Sequence, residues 1–301
     1  MTEAALLWHD VCVRRGGRIV LQDVSLRIDG GEVVAIVGPN GAGKSSLLRA
    51  VDGQWPLSRG TVAVLGRTPG EWDRTGRARR FAVLSQKPAL AFDFLVEEVV
   101  ALGRLPHFGI AGALPERVVV AAALAQSGLH GFERRAYLGL SAGEQQRVQC
   151  ARVLAQLWEL GPGGGRDDAA PGRDDAAQGR PGAAQGRPGA GCTTPGALLL
   201  DEPTSALDLG EQQRMLGVAW RWSRAGLAVG IVMHDLNLAA RFADRLVVLQ
   251  AGRVVAAGPP RDVLTGELIE RVYGCPAAVW IDPATGRPVV LSPGPRGASP
   301  S

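Results

Sequence analysis

Residues 38–45 read Gly-Pro-Asn-Gly-Ala-Gly-Lys-Ser. Glycines at this spacing let successive backbone N–H groups turn inward around phosphate oxygens, while the lysine reaches the terminal phosphates and the serine hydroxyl reaches a divalent cation. Gly38, Pro39, Asn40, Gly41, Ala42, Gly43, Lys44, Ser45 and the adjoining Ser46 are therefore expected to cradle the phosphates of ATP, with Ser45 also a ligand of Mg²⁺. With 41 glycines in the chain such a run could arise by accident, so its setting has to decide. Far along the sequence, Leu198-Leu199-Leu200-Asp201-Glu202 is an apolar run ending in two acids. A strand of this kind delivers acids to the end of a sheet, Asp201 to hold Mg²⁺ and Glu202 to polarise an attacking water. The chemistry these groups share is transfer of a phosphoryl group to water.

Such residues act only if the fold brings them to one edge. Residues 32–37, Glu-Val-Val-Ala-Ile-Val, form a short apolar strand running directly into the glycine loop, and 45–50 continue as a helix. Strand, loop and helix is the order a phosphate cradle requires, because the helix then points its positive end at the anion. Further short strands are expected at 61–65, 81–84, 197–200, 227–232 and 246–249, alternating with helical segments, which is the pattern of an α/β sheet. Alternating apolar stretches at 6–13 and 20–28, separated by Gly16-Gly17, add a small antiparallel edge. Between about 88 and 157 the periodicity changes, and helices at 95–102, 115–126 and 144–158 predict a mainly helical subdomain inserted into the sheet domain.

Residues 161–196 contain near-tandem heptapeptides, Gly-Arg-Asp-Asp-Ala-Ala-Pro and variants, with hardly any large apolar side chain. The stretch cannot build a core and is expected to be a disordered loop. It enters at the amino end of the strand carrying Asp201, whereas ligands of such sheets bind beyond the carboxyl ends, so it should hang away from the phosphates. The chain as a whole, 301 residues with 46% apolar side chains, is ample for a buried core. No apolar run approaches the roughly 18–20 residues that span a bilayer, and the amino terminus has no secretory pattern, so a cytoplasmic location is expected. Cys12, Cys150, Cys192 and Cys275 lie far apart, which suggests neither a zinc site nor a disulfide framework. The net charge of +4 comes almost wholly from arginine, Lys44 and Lys87 being the only lysines. Without a basic stripe interleaved with aromatics it does not point to a nucleic-acid partner.

Three more motifs stand in order with the first two. Gln86 follows a predicted strand, Leu140-Ser141-Ala142-Gly143-Glu144-Gln145-Gln146-Arg147 opens a predicted helix, and Val232-Met233-His234-Asp235 comes later, while the acidic strand end itself runs on from Glu202 into Pro203-Thr204-Ser205-Ala206-Leu207-Asp208. Together the five resemble the nucleotide-binding subunit of an ATP-binding-cassette (ABC) transporter over residues 1–260, with 261–301 a carboxy-terminal extension. The resemblance implies a P-loop NTPase cassette of α/β class, with an antiparallel β subdomain and the helical insert. It also implies a dimer closed face to face over two ATP molecules. In that dimer Ser141, Ala142, Gly143 and Glu144 of one copy, with Asp208 nearby, complete the site of the other. Gln86 would touch Mg²⁺, and His234 the terminal phosphate. The Ser141…Glu144 pair equally fits a capping box, which leaves both roles open. Two positions depart from the family pattern: Ala142 stands where glycine is usual, and Arg15 where many relatives place an aromatic ring under the adenine. A guanidinium can stack on a base, so binding of ATP is expected to survive.

Cargo is marked more weakly. Residues 101–107, Ala-Leu-Gly-Arg-Leu-Pro-His, are similar to a segment in importers of iron chelates, haem and cobalamin, and Gln149–Trp158 and Pro283–Pro288 look most like the haem-import subunits. This resemblance implies hemin as cargo, with ferric siderophore or cobalamin as alternatives. It also implies transmembrane permease subunits docking on 94–108, a substrate-binding protein reached through the complex, and a peripheral position on the cytoplasmic face of the cell inner membrane. A soluble cassette ATPase outside transport is the other class. Such proteins usually carry two cassettes or a long coiled coil in one chain, and neither is seen here.

Overall fold

The computed structural model describes residues 4–85, 93–162 and 196–292. Gln86 and most of the repeat segment lie outside the described residues.

In chain order the first elements are β1 (Leu6–Arg15), β2 (Arg18–Ile28), β3 (Val33–Val37), α1 (Lys44–Val51), β4 (Arg59–Val64), α2 (Arg74–Ala78) and β5 (Phe81–Leu84). Three helices follow, α3 (Val96–Ala101), α4 (Glu116–Gln126) and α5 (Ala142–Gln156). The chain then alternates through β6 (Ala197–Asp201), α6 (Leu209–Arg224), β7 (Ala228–Val232), α7 (Leu236–Phe242), β8 (Arg245–Gln250) and β9 (Arg253–Gly258). Two short helices, α8 (Pro260–Val263) and α9 (Gly266–Tyr273), and the hairpin β10 (Ala278–Ile281) with β11 (Pro288–Leu291) complete it.

Six strands form the central sheet in the order β5-β6-β7-β3-β8-β9, parallel except for β9. Strand β3 is buried throughout, which is why it reads as an unbroken apolar run. Its side chains divide between two cores. Val33, Ala35 and Val37 join the core formed with α3–α7, while Val34 and Ile36 join the core under the antiparallel sheet β2-β1-β4. That second sheet is tied to α1 by Trp8, whose indole Nε1 donates to the carbonyl of Leu47 at 3.0 Å in the interior. The helix behind the phosphate loop is thereby gripped from one side by the antiparallel sheet and from the other by the parallel one.

The α/β fold with an antiparallel β part and a helical part matches the sequence expectation. Differences concern ends and additions. The third predicted helix starts two residues earlier, at Ala142, because Ser141 caps it, and stops at Gln156, giving way to a single tight turn at Trp158–Leu160. Strand β9 and the β10–β11 hairpin were not expected; their residues carry weak apolar patterning. Residues beyond 260 pack on the same core, through Val263, Leu264, Leu268 and Val272. The chain leaves for the repeat segment after Leu160 and returns at Gly196, where these two residues touch beside the start of β6. Both described ends of the insertion thus lie at the amino end of the strand, opposite the glycine loop.

Candidate functional site

Because β3, β6, β7 and β8 are parallel, their carboxyl ends lie along one edge, and the glycine loop, Asp201, Glu202 and His234 collect there. The loop Gly38–Gly43 leaves β3. Gly38 (φ 147°) and Gly43 (φ 103°) adopt backbone conformations that L side chains rarely take. A Cβ on Gly38 would run into the Leu249 carbonyl, and one on Gly43 would lie 2.9 Å from the Val20 carbonyl. Only glycine allows the loop to close this tightly against β2 and β8. Lys44, buried at the start of α1, donates through Nζ to the carbonyls of Gly38 (2.8 Å) and Pro39 (3.0 Å). Burial lowers its pKa, and Glu202 and Asp201 oppose that shift.

From β6, Asp201 accepts a hydrogen bond from Ser45 Oγ at 3.1 Å. Burial pushes the Asp201 carboxyl up, the Ser45 hydrogen bond pulls it down, and neighbouring Glu202 pushes it up again. The Asp201 carboxylate, whose charged form Arg49 and Lys44 favour, and the Ser45 hydroxyl are hard oxygen donors of the kind Mg²⁺ takes. Among the described residues no group of three or more His, Cys, Asp or Glu side chains could hold a metal ion. Mg²⁺ suits such a two-ligand site because it keeps most of its shell for water and phosphate.

Glu202 follows with φ 52°, a left-handed conformation uncommon outside glycine. This kink turns the chain off β6 and directs Glu202 towards β7, where His234 Nε2 meets its Oε1 at 2.5 Å. His234 is half exposed and Glu202 mostly covered. Since β7 lies between β6 and β3, the histidine stands between the acidic pair and the glycine loop. Backbone strain of this sort, roughly 1–3 kcal/mol, persists where surrounding structure enforces it and gathers at reacting sites.

The second group of expected residues is elsewhere in the copy. Ser141 caps α5, accepting from the Glu144 amide at 3.3 Å while Glu144 Oε2 accepts from the Ser141 amide at 2.8 Å. The capping box is real, and Ser141 and Ala142 remain exposed. Gly143 sits against the Ala206 carbonyl, 2.7 Å from where a Cβ would be, so packing requires glycine there. Asp208 caps α6 by accepting from the Glu211 amide at 2.9 Å. No hydrogen bond among the described residues joins Ser141–Glu144 or Asp208 to the loop 38–46 of the same copy.

Arg15, the departure at the base position, is not a free cation. Its guanidinium lies over the Trp55 ring at 4.4 Å from the centroid, and Arg49 lies over the same ring at 5.1 Å. Trp55 escaped sequence reasoning because nothing in its neighbours' spacing marks it; only the turn after α1 brings it to Arg15. If the indole holds Arg15 flat as a platform for adenine, Trp55→Ala raises the KM for ATP several-fold with kcat nearly unchanged, and an unchanged KM would remove Arg15 from base binding.

Two of the three segments that resembled haem or iron-chelate importers, 101–107 and 149–158, touch each other. Arg104 is buried, donating to the Ala155 carbonyl at 2.8 Å and pairing with Glu159 at 2.5 and 2.9 Å. His107 Nε2 meets the Gln156 carbonyl at 2.8 Å, and Gly103 packs on the Arg152 carbonyl. Residues 101–107 are thus stitched to the end of α5, and in the expected docking stretch the strongly exposed large apolar side chains are Leu105 and Phe108. Burial holds the His107 pKa below its ordinary value of 6.5, against the opposing Gln156 hydrogen bond and Glu159. The unfolded chain then binds this proton more readily than the folded one, so stability is full above about pH 6.5 and falls as pH drops below it. Thermal melts from pH 7.5 to 5.5 should show this slope in the parent and a shallower one in His107→Gln.

Comparison with known proteins agrees with this geometry. The family model described as ABC transporter matches residues 21–160. The chain is 42% identical over 284 residues to the hemin import ATP-binding protein HmuV of Pseudomonas fluorescens, covering 94% of this chain and 98% of that one. It is 41% identical over 281 residues to the protein of the same name from Rhodococcus jostii, covering 93% and 84%. Among solved structures, an inward-facing metal-chelate type ABC transporter superposes with a TM-score of 0.70 at 21% identity, over 97% of this chain and 98% of that chain. A dimeric ATP-binding cassette in a post-hydrolysis state with ADP and Pi gives 0.63 at 24% identity, over 84% and 98%. At these identities the structures attest the fold, and the relatives attest the family. A glycine loop, an acidic strand end and a histidine at one sheet edge, joined to similarity along nearly the whole chain, place this protein in the family of ABC transporter ATP-binding subunits.

Proposed function

We propose that this protein is the ATP-hydrolysing subunit of a hemin importer. The observation carrying this reading is identity of about two residues in five, over more than nine-tenths of the chain, to curated relatives named for hemin import.

ATP binds with its phosphates over the amides of Gly38–Ser46, where Lys44 exchanges loop carbonyls for phosphate oxygens. Ser45 and Asp201 hold Mg²⁺, with Gln86 a third candidate, and the ion supplies charge neutralisation on the phosphates. Glu202 accepts a proton from the attacking water. His234, bonded to Glu202, steadies the terminal phosphate. Ser141 and Gly143 come from a second copy, since within one copy they stand apart from the loop; the exposed amino end of α5 offers N–H groups to that phosphate. This arrangement makes the functional unit a dimer.

No helix among the described residues is long and apolar enough to cross a membrane. Coupling to transport is assigned to permease subunits, as the relatives named for hemin import suggest. A groove lined by Asp52, Gln54, Trp72, Arg77, Ser85 and Gln156 lies between the turn after α1, the α2–β5 segment and the end of α5. It adjoins the segment bearing Leu105 and Phe108, because Arg79 Nε donates to the Pro106 carbonyl and Gln156 Nε2 to the Ala78 carbonyl. This is the docking surface for a permease's cytoplasmic segment, on the inner face of the cell membrane.

The test is reconstitution with the membrane partner and its binding protein, followed by ATPase measurement with hemin, ferric siderophore and cobalamin. Stimulation by hemin is expected. A response to another cargo with none to hemin would refute the assignment.

A further inference from the structure

We infer that the carboxy-terminal hairpin β10–β11 is a positioning element for His234, acting through α7; this rests on the role proposed above for that histidine.

Helix α7 has seven residues, too few to hold its own geometry. His234 immediately precedes its cap, Asp235, whose carboxylate accepts from the amides of Asn237 (2.8 Å) and Leu238 (3.0 Å). Whatever fixes the axial rotation and register of α7 therefore fixes the backbone from which His234 reaches Glu202. The hairpin does this at two points. In the first turn of α7, the Asn237 side-chain amide exchanges two hydrogen bonds with Val290: Nδ2 donates to its carbonyl at 3.2 Å, and its amide donates to Oδ1 at 2.7 Å. At the far end, Arg287 Nη1 donates to the carbonyls of Ala240 (2.9 Å) and Ala243 (2.6 Å), groups that the end of a helix leaves without internal partners. Val290 also packs on the core that contains Leu238, Ala239 and Ala240.

Arg287 is aimed by a built turn. Thr285 Oγ1 donates to Asp282 Oδ2 at 2.6 Å, the Ala284 amide to Oδ1 at 3.0 Å, and the Gly286 amide to the Asp282 carbonyl at 2.7 Å. The Asp282 amide closes the hairpin on the Arg287 carbonyl at 2.9 Å. Residues 283–288, which resemblance linked to cargo, thus serve in this fold to present a guanidinium to the helix behind the reacting histidine. A segment outside the glycine loop and acidic strand reaches the site mechanically, through α7.

Arg287→Ala and Asn237→Leu in the full chain should each lower kcat about 10-fold with KM for ATP unchanged, since a misplacement far from the chemistry costs rate rather than ground-state binding. Arg287→Lys should recover part of the loss. In a His234→Ala background neither substitution should lower the residual rate further, because the effect travels through the absent imidazole. A second readout is spectroscopic. Of the four histidines, the imidazole NMR signal missing in His234→Gln should shift in Arg287→Ala and in Asn237→Leu. Wild-type kcat with an unmoved His234 signal in both variants would overturn the inference, as would an equal loss in the His234→Ala background. If His234→Ala itself leaves turnover unchanged, the role of the histidine fails and this inference with it. If His234→Ala abolishes turnover while the hairpin variants are fully active, only the hairpin's role fails.

Discussion

Glu202→Gln is expected to lower ATP turnover by about 10²–10⁴-fold while ATP still binds, the range over which a positioned general base acts. The substitution keeps the side chain's shape and an oxygen that can accept from His234, so the 2.5 Å contact between the two residues has a neutral counterpart. It removes the ability to take a proton from water. Asp201, Ser45 and Lys44 are untouched, and the phosphate cradle with them. Phosphate release under steady state, set beside equilibrium binding of labelled ATP, checks both halves. Turnover close to wild type would move the base to another group, and loss of binding would mean that Glu202 supports the cradle.

Mixing two inactive variants is expected to restore activity. Lys44→Ala removes the cation of the glycine loop, and Ser141→Arg places a bulky charge at the exposed cap of α5. Each homodimer then has two defective sites. In a mixed dimer closed face to face, one site collects both defects and the other has neither, so random pairing restores about one quarter of the intact sites. If each site were complete within one copy, every site in the mixture would carry a defect and no activity would return. The prediction follows from geometry, since Ser141–Glu144 form no bond with the loop 38–46 of their own copy, and it is read by ATPase activity before and after unfolding-free subunit exchange.

The glycine loop, the acidic strand end and the histidine were legible because each sits at the junction of a short apolar run with small or polar residues. Such junctions are local: β3 is apolar because both its faces are covered, and the loop must be glycine-rich because Leu249 and Val20 crowd it. The cap on α5 was legible for the same reason, as Ser141 and Glu144 are three residues apart and bond each other whatever the rest of the chain does. Trp55 was not legible, since its partner Arg15 lies forty residues away across a turn. Nor was the second function of residues 101–107: that Arg104 and His107 point inward to Ala155, Gln156 and Glu159 depends on how the connection after α3 crosses α5.

The sequence by itself determined that this protein handles ATP and belongs among transporter cassettes, because phosphate binding rests on a contiguous loop whose backbone needs are written in glycine spacing. Only the tertiary structure decided which groups share an edge. The order of strands places His234 between Glu202 and the glycine loop, and Ser141 stands exposed at the start of α5, with no hydrogen bond to that loop among the described residues. It also seats Arg287 and Asn237 at the two ends of α7. Hydrogen bonds between residues 44 to 53 positions apart have no period in the chain, so their energetic role exists only once the sheet and the hairpin have brought them together.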